Sequence, residues 1–392
     1  MHPRTILAPR QPSQQTSRQA AAQAARPTSG QVRRHARTAA PAILTAALVA
    51  VLAACGSTSQ TTDAAVSSAP SATAGSAGSA GSGAAASQTP APASTDGTSS
   101  STAMATSYDP AHPDTTISGT FPVTVKAANG PVTLAAAPKK IVSLSPSATE
   151  MLFAIGAGPQ VVAVDDQSNY PSSAPITKLS GFQPNAEAVA GYAPDLVVLS
   201  NDANGLMASL TKLKIPALLL PAATSLDDSY SQEQDLGQAT GHPATATQLV
   251  DQTRSRIAAA IASVPASAKG LKVYHELDPK QLYSATSSTF IGSVYKDFGL
   301  TDIADTAKGA VAAGGYPQLS AEFVVTAAPD VIVLADTKCC QADLASLAKR
   351  PAFAAIPAVK NAKVLAMDDD VASRWGPRVA DFAEALAKVL QG

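Results

Sequence analysis

Cysteine, histidine, aromatic residues and charge are all scarce in this chain of 392 residues. Its three cysteines are too few for a disulfide framework or a four-thiolate zinc site, and its five scattered histidines make a His-rich metal site a poor expectation. A net charge of −1 excludes a nucleic-acid binder that relies on a globally basic surface. Long apolar runs are also lacking, apart from one near the N-terminus, so the sequence is not that of a polytopic membrane protein.

Residues 1–54 have the pattern of a bacterial export signal. Seven arginines and no acidic residue or lysine occur in residues 1–40, and the apolar stretch at 41–54 is shorter than the ~20 residues of a membrane span. The stretch ends in Leu52-Ala53-Ala54-Cys55, which resembles the lipobox, where cleavage precedes the cysteine and its thiol carries diacylglycerol. We therefore expect a protein anchored to the outer face of the cell membrane by lipidated Cys55. A signal peptide with an incidental cysteine and a short membrane anchor are the alternatives.

Residues 55–118 consist largely of serine, alanine, threonine, glycine and proline. Such a segment has too few large apolar groups to offset the entropy lost on ordering. The composition predicts a disordered tether, whose r.m.s. reach would be roughly 40–45 Å.

From residue 119 onward, strand-like and helix-like patterns alternate, which is typical of an α/β fold with parallel sheets. After a hairpin at 121–134, we predict strands at 141–145, 161–164, 196–200, 217–220, 271–275, 281–285, 331–335 and 363–367, and helices at 148–155, 185–192, 203–213, 244–264, 288–298, 341–349 and 377–390. Ser147 and Glu150 have the spacing of a capping box for the first helix. The helical pattern at 244–264 places Val250, Ile257, Ile261 and Val264 on one face. It predicts a linker helix at 243–265 between an N-terminal lobe (119–242) and a C-terminal lobe (266–392).

An internal repeat supports the division into two lobes. Glu187 is followed by Pro194-Asp195 and an apolar strand pattern, and Glu322 is followed at the same spacing by Pro329-Asp330 and another such strand. Each glutamate is predicted in the first turn of a helix, where its charge suits the helix dipole.

Four further motifs carry a family resemblance. They are Ser143-Leu-Ser-Pro-Ser-Ala-Thr-Glu150, Asn169-Tyr170-Pro171, Tyr316-Pro-Gln-Leu-Ser-Ala-Glu322 and Arg374-Trp-Gly-Pro-Arg378. With the lipobox and the repeat, residues 120–390 resemble the extracytoplasmic substrate-binding lipoproteins of iron-siderophore and cobalamin ABC importers. The resemblance implies two Rossmann-like lobes with central parallel sheets, joined by one long helix. It further implies a monomer that is not an enzyme, that has no cofactor, and that delivers a ligand to an ABC permease and its ATPase.

The same resemblance assigns roles to particular residues. Glu187 and Glu322 would dock onto arginines of the permease. The ligand would bind between the lobes, at the carboxyl ends of the strands. Candidate ligand-binding residues at those positions are Ser145, Tyr170, Phe182, Asn201, Tyr316, Arg374 and Trp375. Glu276 and Phe290 also lie at or near the carboxyl ends of predicted strands and are further candidates. For each aromatic residue, packing in the core of a lobe is the alternative to ligand binding.

Cys339 and Cys340 are adjacent, and the Cα atoms of neighbouring residues are about 3.8 Å apart, below the usual disulfide range. The sequence is compatible both with a disulfide between these adjacent cysteines and with two reduced thiols.

Three other functions are alternatives to ligand transport. A bare metal-ion receptor would need several histidines with carboxylates, although Asp368-Asp369-Asp370 would attract a hard cation. No nucleophile elbow, phosphate loop or His-Glu-x-x-His motif indicates an enzyme. A ligand sensor or adhesion module on the same fold stays open, because fold does not fix function. Between ligands, the first loop and the Arg374 segment favour a corrinoid over a ferric siderophore, with haem a third choice.

Overall fold

The computed structural model describes residues 108–392. The predictions for the export signal, for Cys55 and for most of the tether lie outside the described residues. Within residues 108–392, the strands are β1 (Val123–Ala127), β2 (Gly130–Leu134), β3 (Ile141–Leu144), β4 (Val161–Val164), β5 (Leu196–Leu199), β6 (Ala217–Leu219), β7 (Lys272–Glu276), β8 (Thr301–Asp302), β9 (Val331–Leu334) and β10 (Val364–Ala366). The helices of the same part are α1 (Pro146–Ala154), α2 (Ala186–Ala190), α3 (Leu206–Lys212), α4 (Leu226–Thr240), α5 (Pro243–Ala262), α6 (Phe290–Asp297), α7 (Ala321–Ala327), α8 (Thr337–Cys340), α9 (Leu344–Ala348), α10 (Pro357–Lys360) and α11 (Val379–Gln391).

Two four-stranded parallel sheets form the centres of the two lobes. The first sheet has the order β4-β3-β5-β6, and the second has the order β8-β7-β9-β10, while β1 and β2 form a separate antiparallel hairpin. Each lobe therefore arranges its own four strands in the order 2-1-3-4. The predicted α/β class and the two-lobe architecture are confirmed. Central strands β3, β5, β7 and β9 are buried along their whole length or nearly so, as strands covered on both faces must be.

The internal repeat has the same structural role in both lobes. The carboxylate of Asp195 accepts hydrogen bonds from the backbone N–H groups of Lys139 (2.8 Å) and Lys140 (2.9 Å), at the start of β3. Asp330 accepts in the same way from Lys272 N–H (2.9 Å), at the start of β7. Each Pro-Asp pair thus fixes the strand after it against the first strand of its own lobe.

Helix α5 is the predicted long helix, and its 20 residues span about 30 Å. It packs along α4 and α11. Val250 and Ile257 are buried on its inner face, and Ile261 and Val264 pack against the same core, as the sequence spacing predicts. On its outer side, Arg256 forms ion pairs with Asp381 (2.5 Å) and Glu384 (2.8 Å) of α11.

Several local predictions are wrong. The segment predicted as a strand at 281–285 makes one isolated bridge, Tyr283 with Gln318, because Leu282 has a positive φ of 53° that turns the chain. The helix predicted at 341–349 is only the short helix α9 (Leu344–Ala348), since Gln341 is left-handed and Asp343 begins the helix as its N-cap.

Helix α4 is absent from the sequence predictions. Its sequence is mostly polar, and packing against α5 stabilises it more than any apolar periodicity of its own. One local signal was present. Ser225, the N-cap residue, accepts a hydrogen bond from Asp228 N–H at 3.2 Å, and a serine followed three residues later by an acidic residue is a known helix start.

Candidate ligand cleft between the lobes

Loops at the carboxyl ends of the two sheets meet at the boundary between the lobes. In the N-terminal lobe, β4 is followed by a long loop that includes Gln167, Asn169 and Tyr170. In the C-terminal lobe, β10 is followed by the segment 367–378 that leads to α11. Ligands of open α/β sheets bind at this edge, so the cleft between these loops is the candidate site.

One buried glutamate joins the lobes. Glu150 lies in α1 of the N-terminal lobe, and its side chain is 1% exposed. Its carboxylate accepts hydrogen bonds from Arg378 Nε (2.7 Å), from Arg378 Nη2 (2.5 Å) and from Arg374 Nη1 (2.8 Å), both arginines being in the C-terminal lobe. Two guanidinium groups therefore share one carboxylate across the boundary.

Both terminal nitrogens of the Arg374 guanidinium are bonded to protein partners. Besides Glu150, it donates to Asn169 Oδ1 (2.9 Å), to the Gln167 carbonyl (2.8 Å) and to Asp370 Oδ1 (2.7 Å). Asn169 Nδ2 in turn donates to Asp370 Oδ2 at 2.9 Å. Burial alone would raise the pKa of Asp370, but Arg374 and the hydrogen bonds of Lys338 and Asn169 outweigh burial and lower it. We call Glu150, Asn169, Asp370, Arg374 and Arg378 the inter-lobe network.

The position of Arg374 changes the expectation for this residue. That it binds ligand stays a prediction, but its Nη1 and Nη2 donors are already bonded to both lobes. A role in joining the lobes is what its contacts support.

Tyr170, Phe182 and Asn201 lie at the surface of the N-terminal lobe. Tyr170 is 44% exposed, and the Arg378 guanidinium lies 4.2 Å from its ring centroid, so this ring belongs to the edge of the inter-lobe network. Phe182 is 38% exposed. Asn201 is also exposed, and its Nδ2 donates to the Gly181 carbonyl (3.4 Å), which steadies the backbone beside Phe182. These three side chains are accessible to a ligand.

Ser145 is 1% exposed, and its Oγ accepts a hydrogen bond from Ala148 N–H as the N-cap of α1, so its role in ligand binding stays a prediction. The N-cap is therefore Ser145, followed by Pro146 at the first helical position, and the capping box of Ser147 with Glu150 is wrong. Glu150 is turned away from the helix start and towards the arginines.

The predicted aromatic residues of the C-terminal lobe are less accessible. Tyr316 is partly buried against the C-lobe core, and burial raises the pKa of its hydroxyl. Trp375 packs against the cores of both lobes, and its indole N–H donates to Gln232 Oε1 of α4 at 3.0 Å. Trp375 is thus part of the lobe junction.

Glu276 and Phe290 are buried in the C-terminal lobe at 0% and 4% exposure. Glu276 accepts two hydrogen bonds from the Arg350 guanidinium (2.6 and 2.7 Å), and Tyr274 donates to it at 3.1 Å. Asp336 lies beside this pair, where burial and the neighbouring Glu276 raise its pKa to about 8. Neither Glu276 nor Phe290 is available to a ligand in this arrangement. His275, the residue before Glu276, is fully buried, and burial lowers its pKa to about 3.

The paired glutamates of the repeat are exposed on equivalent helices. Asn185 caps α2 and Ser320 caps α7, so Glu187 and Glu322 each lie in the first helical turn, as predicted. Among residues 108–392, neither glutamate has an ion-pair partner. Their role in docking stays a prediction.

The structure joins Cys339 and Cys340 in a disulfide bond, at the end of α8. It also accounts for the acidic run next to this helix, because Asp368, Asp369 and Asp370 all accept hydrogen bonds from protein groups.

In the described residues, no group of three or more His, Cys, Asp or Glu side chains has the arrangement to hold a metal ion. The search of the same residues finds no helix with the length and apolarity needed to span a membrane.

Glu233 of α4 is a buried acid that makes stability depend on pH. It is 0% exposed, neither carboxyl oxygen has a hydrogen-bond partner in the described structure, and burial raises its pKa to about 8. Between its ordinary value of 4.5 and about 8, the folded protein therefore holds a proton that the unfolded chain releases.

We expect the free energy of unfolding to fall as the pH rises from 5 to 8, and the fall to be smaller in Glu233→Gln. Burial also raises the pKa values of Asp302 and Asp336 to about 8. These two groups should therefore still make the free energy of unfolding depend on pH in Glu233→Gln. Urea unfolding at pH 5, 6.5 and 8 measures the slope. Glu187→Gln, the same chemical change at an exposed site, should leave it unchanged. An unchanged slope in Glu233→Gln would contradict the assignment.

Two parallel α/β lobes, joined by a long helix and with a cleft at the carboxyl ends of their strands, define a two-lobe ligand-binding protein. Comparison with known proteins supplies the family. The sequence profile of the periplasmic binding protein family matches residues 141–371. The chain therefore belongs to this family, whose members bind substrates for ABC importers and are not enzymes.

Two relatives and one solved structure illustrate the similarity. A cobalamin-binding protein of Halobacterium salinarum is 35% identical over 230 residues, which is 57% of this chain and 61% of that protein. An uncharacterised ABC transporter substrate-binding lipoprotein of Bacillus subtilis is 31% identical over 281 residues, 68% of this chain and 85% of the relative. A possible iron-binding periplasmic solute-binding protein of Staphylococcus epidermidis has a TM-score of 0.56 at 26% identity, covering 66% of this chain and all of that one.

Proposed function

We propose that this protein captures a corrinoid of the cobalamin type between its lobes and delivers it to an ABC permease and its ATPase. The observation that carries the ligand class is the 35% identity to a protein named for cobalamin binding. The matched segment spans less than two thirds of that relative, and the cleft itself gives a second reason for a corrinoid. Its accessible rim has aromatic faces, Tyr170 and Phe182, which suit a large planar macrocycle.

A ferric siderophore is the second candidate, favoured by the iron-binding description of the Staphylococcus epidermidis structure. An anionic siderophore calls for cationic groups in the cleft. Arg374 and Arg378 are both paired with Glu150, which leaves less positive charge for such a ligand.

Titration of the purified full-length chain with cobalamin, haem and a panel of ferric siderophores tests the proposal. Trp375 is the only tryptophan and lies at the lobe junction, so its emission reports binding between the lobes. Calorimetry supplies an independent readout, because corrinoids and haem also quench emission by absorbing light. We expect saturable binding of cobalamin. Binding of a siderophore or haem, with none of cobalamin, would contradict the corrinoid proposal while leaving the transport class intact.

The exposed ring of Tyr170 provides a sharper test of the site. Tyr170→Ala should weaken binding of the titrated ligand about tenfold, since an aromatic contact contributes roughly 0.5–1.5 kcal/mol beyond its buried area. Tyr192→Ala is the matched control. Tyr192 is 38% exposed and follows α2, at the amino-terminal edge of the same sheet. If the two variants bound the ligand with equal affinity, Tyr170 would not be a ligand-binding residue.

Anchoring through Cys55 is the remaining part of the proposal. Cys55→Ala should abolish incorporation of a labelled fatty acid and release the protein from the membrane fraction, because the thiol that would carry the lipid is gone. Cys339→Ser is the matched control, as it removes a cysteine from the folded domain. Labelling that persists in Cys55→Ala would rule out lipidation at this residue.

A further inference from the structure

The Cys339–Cys340 disulfide lies within the cleft edge of the C-terminal lobe. It joins the last two residues of α8, the short helix that follows β9, and both cysteines are exposed. We propose that this disulfide is a reversible thiol–disulfide exchange site, and that its oxidation state controls the order of the loop that carries the inter-lobe network. The proposal goes beyond ligand transport and holds for any ligand.

Asp369 clamps the turn that contains the disulfide. Its carboxylate accepts hydrogen bonds from Thr337 Oγ1 (3.0 Å), Lys338 N–H (2.9 Å) and Cys339 N–H (3.1 Å). These donors belong to three successive residues, so one carboxylate reaches all of them only while the chain keeps its closed turn. The bond between Cys339 and Cys340 restrains the backbone at the end of that turn.

Lys338 connects the turn to the other lobe. Its Nζ forms ion pairs with Asp368 (2.7 Å) and Asp370 (2.8 Å). Asp370 also accepts hydrogen bonds from Arg374 (2.7 Å) and from Asn169 of the N-terminal lobe (2.9 Å). A continuous series of contacts therefore runs from the disulfide turn through Asp370 to the N-terminal lobe.

The exchange reaction requires an external dithiol. A thiolate of the dithiol attacks one cysteine sulfur, the Cys339–Cys340 bond breaks, and the other cysteine leaves as a thiolate that takes up a proton. The second thiol of the reductant then displaces the protein from the mixed disulfide. The products are two protein thiols and one oxidised dithiol, so two electrons and two protons pass to the protein. Exposure of both sulfur-bearing residues gives a reductant access, and an extracytoplasmic compartment favours the oxidised form.

Reduction should loosen the turn. Without the covalent link, the 337–342 segment gains conformations in which Asp369 no longer holds Lys338 N–H and Cys339 N–H together. The ion pairs of Lys338 weaken with them, and Asp370 then holds Arg374 and Asn169 less firmly.

Hydrogen exchange of the purified full-length chain, with and without dithiothreitol, tests this proposal. The tryptic peptide covering 339–349 contains both cysteines of the pair and not Cys55, and it gains two hydrogen atoms on reduction. We expect amides at 337–342 to exchange about tenfold faster in the reduced protein, because the hydrogen bonds that Lys338 N–H and Cys339 N–H donate to the charged Asp369 carboxylate would open more often. A smaller acceleration should appear at 167–170 in the N-terminal lobe. Amides of β3 and β5 serve as the internal control and should not change.

Two variants separate the disulfide from its clamp. Cys339→Ser combined with Cys340→Ser should exchange like the reduced protein and should not respond to dithiothreitol. Asp369→Asn should loosen 337–342 while the disulfide stays intact. The proposal is overturned if the native protein resists dithiothreitol until it is unfolded, or if reduced and oxidised protein exchange equally at both 337–342 and 167–170.

Discussion

Glu150→Gln should lower the free energy of unfolding by about 3–5 kcal/mol, the usual effect of removing one partner from a buried ion pair. The glutamate is 1% exposed, and the side chains of Arg374 and Arg378 are 11% and 16% exposed. Glutamine keeps the size of the side chain and one acceptor oxygen but removes the charge. Two nearly buried guanidinium groups would then lie together without the carboxylate between them.

Chemical unfolding at neutral pH measures this effect, and Glu384→Gln is the matched control. Glu384 also receives two hydrogen bonds from one arginine, Arg256, but the pair is 41% and 33% exposed. Exposed pairs contribute about 0–1 kcal/mol, so this variant should be only slightly destabilised. Similar losses in both variants would mean that burial does not distinguish the inter-lobe network from a surface ion pair.

The network also bears on how the lobes move. Arg374 and Arg378 bind Glu150 from the opposite lobe, and α5 is continuous across the lobe boundary. Both features oppose wide hinge opening of the kind seen in some periplasmic binding proteins. Glu150→Gln removes one restraint and leaves α5 in place, so we infer a looser cleft with the same two-lobe fold.

Features that depend on neighbours in the sequence could be predicted. The apolar spacing of α5, the general alternation of strands and helices, and the repeat around Glu187 and Glu322 are local patterns, and the structure has all three. Glu150 shows where local reasoning fails. Its spacing from Ser147 suggests a capping box, whereas its partners Arg374 and Arg378 lie 224 and 228 residues further along the chain. No periodicity connects residues that far apart.

The candidate site shows the same limit of reasoning from sequence neighbours. Position at the carboxyl end of a strand correctly brought Tyr170 and Arg374 to the lobe boundary. It could not tell an accessible side chain from a bonded one. Ser145 became a helix cap and Arg374 a bridge between lobes, because each found protein partners that the sequence does not display. For Arg374, the acidic run at 368–370 was the one available signal, since Asp370 is four residues before it.

Glu187→Gln combined with Glu322→Gln should abolish ligand uptake by cells while leaving ligand affinity within about twofold. If each carboxylate pairs with a permease arginine, truncating a buried, hydrogen-bonded charge pair costs about 2–5 kcal/mol, which corresponds to a loss of docking affinity of 30-fold or more. The cleft should be unaffected, because both side chains are exposed on helices α2 and α7 and neither takes part in the hydrogen bonds of the inter-lobe network.

The two-lobe repeat makes the docking test quantitative. Glu187 and Glu322 occupy equivalent first-turn positions, so each single variant should reduce docking and the double variant should reduce it further. Asp251→Asn is the matched control, because Asp251 is exposed on α5 and forms no ion pair among residues 108–392. Uptake and calorimetric ligand binding, measured on the same four variants, separate docking from capture. Normal uptake by the double variant would exclude these carboxylates from the interface, and a parallel loss of ligand affinity would show that they act through the cleft instead.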